Sequence, residues 1–229
     1  ELLIGKNQGF ARSRDGGHAW EWVSAAGHGG LDHISVASSQ SDDILVSSSL
    51  GVARSIDDGA TWTPAIGLPP ASTATRFGRA PSSPQIVYAG IRDAGTPKGL
   101  YKSIDGGSTW VNSNGSMPLS YVMDIEVDPR SAQTVYVRSE SGAFKSTDGG
   151  ASWTALQFDA AGVSRIAISS ARPNTLFAGY GGRIARSLDA GASWQDVYVP
   201  QAQIEEARHL FVDPLRPNTL FASFPNGLG

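Results

Sequence analysis

Apolar positions in this chain come in short bursts that recur in a fixed order. One set reads Leu2-Leu3-Ile4, Ile44-Leu45-Val46, Ile86-Val87-Tyr88, Thr134-Val135-Tyr136-Val137, Thr175-Leu176-Phe177 and Thr219-Leu220-Phe221. A second set ends at a serine, as in Gly51-Val52-Ala53-Arg54-Ser55 and Gly99-Leu100-Tyr101-Lys102-Ser103. A third opens at a tryptophan, as in Trp20-Glu21-Trp22-Val23 and Trp194-Gln195-Asp196-Val197-Tyr198. A fourth comprises Ile34-Ser35-Val36, Ile125-Glu126-Val127, Ile166-Ala167-Ile168 and Leu210-Phe211-Val212. Each burst is rich in β-branched or aromatic residues and is bounded by Gly, Pro, Asn or Asp, which predicts short strands. No window carries a helical period. Four short strands per repeated unit of about 40–45 residues predict an all-β fold, a β-propeller of four-stranded antiparallel blades.

The unit is marked by an eight-residue box, Ser-x-Asp-x-Gly-x-x-Trp, found five times: Ser13 to Trp20, Ser55 to Trp62, Ser103 to Trp110, Ser146 to Trp153 and Ser187 to Trp194. The Ser-to-Ser intervals are 42, 48, 43 and 41, and five of the six tryptophans sit in boxes. After the third strand of a unit the chain must reverse. Glycine at the fifth box position tolerates positive φ, and the Asp two places earlier can bond backbone amides in the turn. The Trp then covers the turn while its N–H seeks an acceptor. Asp15, Asp57, Asp105, Asp148 and Asp189 could be calcium ligands or catalytic acids. Five copies at one position favour a turn staple with Trp20, Trp62, Trp110, Trp153 and Trp194 as lids.

On these motifs the chain resembles the Asp-box, or bacterial neuraminidase repeat, propellers. Its pattern Asn174-Thr175-Leu176-Phe177-Ala178-Gly179 followed by the box from Ser187 is similar to the exported bacterial type with a repeat in every blade. Sialidases, xyloglucan-active glycoside hydrolases, photosystem II assembly factors and sortilin-type receptor domains are related. The resemblance implies the fold and an extracellular, periplasmic or cell-surface location, without choosing among these activities. The leading expectation is a non-catalytic binding or assembly module that holds a protein or glycan at the central channel mouth or a blade surface. The alternatives are a glycoside hydrolase and a structural part of a larger surface assembly. Sialidases of this fold carry an Arg-Ile-Pro motif. Here Arg165 and Arg183 are each followed by Ile-Ala.

Residues 219–229 align without a gap on residues 1–11, so residues 1–229 read as one propeller domain that begins and ends within a blade. At the observed spacing five blades need about 218 residues, six about 261 and seven about 305. The expectation is part of a six- or seven-bladed ring, because an open arc exposes a strand edge. A five-bladed ring is the alternative.

Composition narrows the chemistry. Hydrophobic residues make up 40% and charged residues 17%, which excludes a disordered chain. The net charge of −3 argues against a general nucleic-acid binder, although 14 of 18 basic residues are Arg. No apolar run approaches a membrane span, and no signal peptide is visible at Glu1. The absence of cysteine excludes disulfides, thiolate metal sites and a Cys nucleophile. No cofactor is expected.

Function in a repeat protein shows where the units differ. Aligning the fourth-type strands, predicted to be innermost, gives one column just before the first apolar residue: His33, Arg76, Asp124, Arg165 and His209. Alternation keeps that column off the apolar face, where it would surround a channel mouth and hold a carboxylate, phosphate or sulfate group. The competing reading is solvated structural charge, with Asp124 neutralising an arginine. A glycosidase needs two carboxyls about 5–10 Å apart across a cleft. Asp124, Glu126 and Asp32 are the channel-side candidates, with Glu205-Glu206 in a nearby loop. The segment from His28 to His33 holds two His and one Asp, too few for a metal site, and none is expected. Arg12, Arg54, Lys102, Lys145 and Arg186 precede the five box serines, which points to a solvated or Trp-stacked position or an anion-binding stripe. The longest interval holds two irregular segments, Gly67 to Ser72 and Arg92 to Lys98, where recognition loops could grow.

Overall fold

The apolar bursts become strands in the computed structural model, which describes residues 2–6, 9–25, 30–37, 40–93, 96–158, 162–199 and 206–224. Twenty-one strands and no helix occur among them. They are β1 (Leu2–Lys6), β2 (Gly9–Ser13), β3 (Glu21–Ser24), β4 (Leu31–Ala37), β5 (Gln40–Ser48), β6 (Gly51–Ser55) and β7 (Thr63–Pro64). Then follow β8 (Ser72–Arg79), β9 (Val87–Asp93), β10 (Thr96–Ser103), β11 (Val111–Asn112), β12 (Val122–Val127), β13 (Val135–Ser139), β14 (Gly142–Ser146) and β15 (Thr154–Ala155). The last are β16 (Val163–Ile168), β17 (Leu176–Tyr180), β18 (Arg183–Ser187), β19 (Gln195–Tyr198), β20 (His209–Val212) and β21 (Leu220–Ser223).

Four sheets have four strands in sequential order: β4 to β7, β8 to β11, β12 to β15 and β16 to β19. β1 to β3 form a three-stranded sheet and β20–β21 a two-stranded one. Pairing within the sheets is antiparallel, from β1–β2 (Leu2↔Ser13) to β20–β21 (His209↔Ser223). The third strand of each unit ends at the box serine, as its sequence predicts. The fourth begins one residue after the Trp, because the indole belongs to the turn. Between Arg92 and Lys98, β9 and β10 extend into a longer hairpin with a bulge between Pro97 and Gly99.

The chain divides into two compact units: Glu1–Asn114 with Leu119–Val122, and Gly115–Pro118 with Met123–Gly229. In the first unit, Ile44 and Val46 of β5 pack with Phe10, Val23 and Ala53, while Leu45 turns to the opposite cluster with Val87, Ala89 and Phe77. In the second, Leu176 and Ala178 of β17 face Tyr136 and Ile166, while Phe177 faces Ile184 and Val212. Second strands are thus buried on both faces. That is why they read as continuous apolar runs without polar alternation.

Candidate functional site

The five boxes share one hydrogen-bond pattern. The box Ser Oγ donates to Asp Oδ1 at 2.8 Å in Ser13–Asp15, Ser55–Asp57 and Ser146–Asp148, and at 2.7 Å in Ser103–Asp105 and Ser187–Asp189. The same Oγ accepts the N–H of the fifth-position glycine, at 2.7 Å for Gly17 and 2.8 Å for Gly59, Gly107, Gly150 and Gly191. Asp Oδ1 also accepts the N–H four residues on, from Ala19, Thr61, Thr109, Ser152 and Ser193. Where that residue carries a hydroxyl, it donates to Oδ2. These bonds favour the ionised carboxyl and hold Asp148 and Asp189 down to about 2. The carboxylates are occupied by their own turns, leaving little of them for a metal or a substrate. Backbone is left-handed at the fifth position and also at the fourth, where Asp58 (φ 65) and Ala190 (φ 58) stand without the glycine that would signal it.

Three of the basic residues before the box serines, Arg12, Arg54 and Lys145, reach the next sheet's box. Arg12, only 5% exposed, pairs with Glu21 at 2.7 Å and with the Asp58 carboxylate. Arg54 donates to the Asp105 carbonyl at 2.6 Å and to Ser108 Oγ at 2.9 Å. Lys145 donates to the Ala190 carbonyl at 2.8 Å. At these three the expected solvated or Trp-stacked position is instead an inter-sheet clasp, and the ring beneath Lys102 and Lys145 is a tyrosine, Tyr88 or Tyr136. Buried Asp43 completes the Arg54 clasp at 2.8 Å and binds Arg79 at 3.1 Å. Burial lowers the pKa of Arg79 and its Asp43 bond opposes that shift. Neither Asp43 nor Arg79 stands out in the sequence, since only their partners across the sheet give them a role.

The inner-strand column is positioned by bulges. Register slips between Leu31 and His33, between Ala74 and Arg76, and between Val163 and Arg165, so one extra residue precedes the column residue in β4, β8 and β16. Such bulges re-aim the side chain that follows. At two of them the bulged hydroxyl is tied down, Thr75 to the Gly90 carbonyl and Ser164 to the Gly179 carbonyl. The following arginine then bonds the bulge carbonyl: Arg76 Nη1 to Thr75 at 3.3 Å and Arg165 Nη1 to Ser164 at 2.8 Å. Arg165 Nε also donates to the Arg208 carbonyl at 2.5 Å.

In the first unit, His33 lies against Phe77 with ring centroids 5.5 Å apart, and its buried Nδ1 has no hydrogen-bond partner. Burial, then the Arg76 charge, lowers its pKa to about 4, so the ring is neutral at pH 7. Asp32 is exposed and lies 3.9 Å from Arg92. In the second unit, Asp124 and Glu126 share β12, two residues apart and so on one face. Burial, then the Asp124 charge, pushes Glu126 up to about 8. Arg165 is half-buried on β16, while His209 is exposed on β20 with Nδ1 3.1 Å from Ser223 Oγ. Glu206 is exposed. His28 and Glu205 lie outside the described residues. Among the described residues, no cluster of three or more His, Asp or Glu could hold a metal ion, and no helix is long and apolar enough to cross a membrane.

No protein-family profile matches the sequence, and no curated protein matches it. Solved structures do. The chain is similar to a GH74 xyloglucanase from Xanthomonas campestris, with a TM-score of 0.80 at 17% identity over 100% of this chain and 42% of that one. An ancestral GH74 enzyme gives 0.80 at 18% identity over 98% of this chain and 35% of that one. YCF48 bound to D1 peptide gives 0.69 at 17% identity over 96% of this chain and 70% of that one. The chain spans less than half the length of either GH74 structure. At these identities the likeness is one of fold. With the sequential four-stranded antiparallel sheets, it makes this an all-β chain of β-propeller blades.

Proposed function

We propose that the chain is a non-catalytic binding or assembly module of an exported propeller, holding a protein or glycan through the starts of its inner strands. The observation that carries this reading is the bulge before His33, Arg76 and Arg165. It sets side chains of varied identity at equivalent starts of the inner strands, whereas the recurrent box residues are consumed by structure. His33 and Arg76 in one unit, and Arg165 and His209 in the other, are donors suited to a carboxylate, phosphate or sulfate group. Asp124 adds an acceptor for hydroxyls or amides. A neighbour in fold, YCF48, is a protein bound to a peptide, which agrees with a protein partner without identifying one.

The test is a peptide and glycan array probed with the wild type and with Arg76→Ala/Arg165→Ala. The double variant should lose affinity about tenfold or more for the wild type's ligand, each charge-assisted bond contributing about 1.5–3 kcal/mol. Unchanged affinity would remove the column from the site.

Hydrolysis is the second reading, and Glu126 favours it. A carboxylic acid that keeps its proton near pH 7 beside Asp124 is the form a general acid takes. Against it, the two carboxyls share one strand face, whereas glycosidic cleavage needs them on either side of the bond. A screen of β-glucans, xyloglucan and sialosides should give no turnover. Turnover abolished by Asp124→Asn without loss of folding would reverse the assignment.

A further inference from the structure

Where a fourth strand ends, the chain ordinarily binds the next sheet's box. After β7, the Ile66 N–H donates to the Ser108 carbonyl and the Ile66 carbonyl accepts the Trp110 N–H, both at 2.9 Å, in a parallel bridge. Beyond β11, Ser116 Oγ binds the Trp153 backbone, donating to its carbonyl and accepting its N–H, both at 3.1 Å. Beyond β3, the Ser24 carbonyl accepts the Trp62 indole N–H at 3.3 Å.

The seam between β15 and the turn before β19, wholly within the second unit, differs. Its equivalent groups are Gln157, the Ala192 carbonyl and the Trp194 N–H, and no bond joins them among the described residues. A groove of about 460 Å³ opens there, lined by Thr147, Ser152, Thr154, Leu156, Gln157 and Ala192. Phe158 leans on Trp194 with ring centroids 4.6 Å apart. The Trp194 indole N–H is buried without a partner, whereas that of Trp110 donates to the Gly107 carbonyl at 2.8 Å. Lys145, bonded to the Ala190 carbonyl, closes one end.

We propose that this groove is a docking site for an extended peptide, which supplies the backbone that Ile66 supplies in its own seam. The argument for a peptide is the spacing of the vacant groups. A carbonyl and an N–H two residues apart are the pair that one residue of an extended strand satisfies, and an internal segment of this chain already does so at Ser108 and Trp110. The hydroxyls of Thr147, Ser152 and Thr154 serve the peptide's flanking amides, and Leu156 offers an apolar floor. The volume falls within the range of small-ligand sites. This site is separate from the inner-strand column and stands or falls independently of it.

The experiment is amide hydrogen exchange, read by NMR on the full chain, with a capped synthetic peptide Thr-Pro-Ala-Ile-Gly-Leu copying residues 63–68. Without peptide, the Trp194 amide should exchange about tenfold or more faster than the Trp110 amide. Millimolar peptide should slow Trp194 by about tenfold and shift the Gln157, Ala192 and Trp194 indole signals, leaving Trp110 unchanged. The Arg76→Ala/Arg165→Ala variant should bind this peptide as the wild type does, which separates the groove from the column. A Trp194 amide already protected without peptide, or one indifferent to millimolar peptide, or shifts centred elsewhere, would overturn the proposal.

Discussion

A methyl group added at Gly107 would sit 2.5 Å from Leu45 Cδ2, on a backbone already left-handed at φ +100. Gly107→Ala should therefore cost about 2–4 kcal/mol, measurable as a lowered midpoint in urea with m unchanged. The pH response turns on two side chains. Folding raises Glu126 from 4.5 to about 8, so the native state keeps a proton that the unfolded chain has released between those values. Its contribution is fully present below about pH 4.5 and is lost as pH climbs through about 8. Glu126→Gln keeps a neutral group there and should be more stable than the wild type at pH 9, by about 2 kcal/mol, since part of the side chain remains exposed. At pH 5 the two should unfold at similar temperatures. His33 acts in the opposite sense: its pKa falls to about 4, so its contribution, present above about pH 6.5, is lost as pH falls through about 4.

Between elements, the decisive contacts are the clasps from one sheet to the next box. Asp43 is 3% exposed and faces two guanidiniums, Arg54 and Arg79. Asp43→Ala would leave both buried charges without their carboxylate and should cost about 3–5 kcal/mol in thermal or urea unfolding. These clasps were the part of the fold least legible in the sequence. The strands, the box turn and the fifth-position glycines can be read locally, because each depends on residues within eight of one another. The regular basic residue before each serine was visible too, but its target, such as the Asp105 carbonyl for Arg54, lies in another unit of the repeat and carries no local mark. The bulges at Asp32, Thr75 and Ser164 were hidden for a similar reason. A one-residue slip exists only relative to a partner strand. Asp58 and Ala190 escaped notice because nothing about their types announces positive φ.

For the molecule as a whole, the repeat carries two kinds of position. Box residues recur and are bound up in turns, while inner-strand residues vary, and His33, Arg76 and Arg165 each follow a bulge. Which of these serves ligand recognition is the central question, and one measurement addresses it. A ligand found on the array would be titrated calorimetrically against the wild type, Arg76→Ala/Arg165→Ala and Ser146→Ala, with unfolding temperatures recorded for each. Ser146 Oγ accepts the buried Gly150 N–H at 2.8 Å, so its loss should cost about 1–3 kcal/mol of stability and leave affinity untouched. The column variant should lose affinity about tenfold or more and keep most of its stability. Affinity that falls with the box variant and survives the column variant would contradict the account.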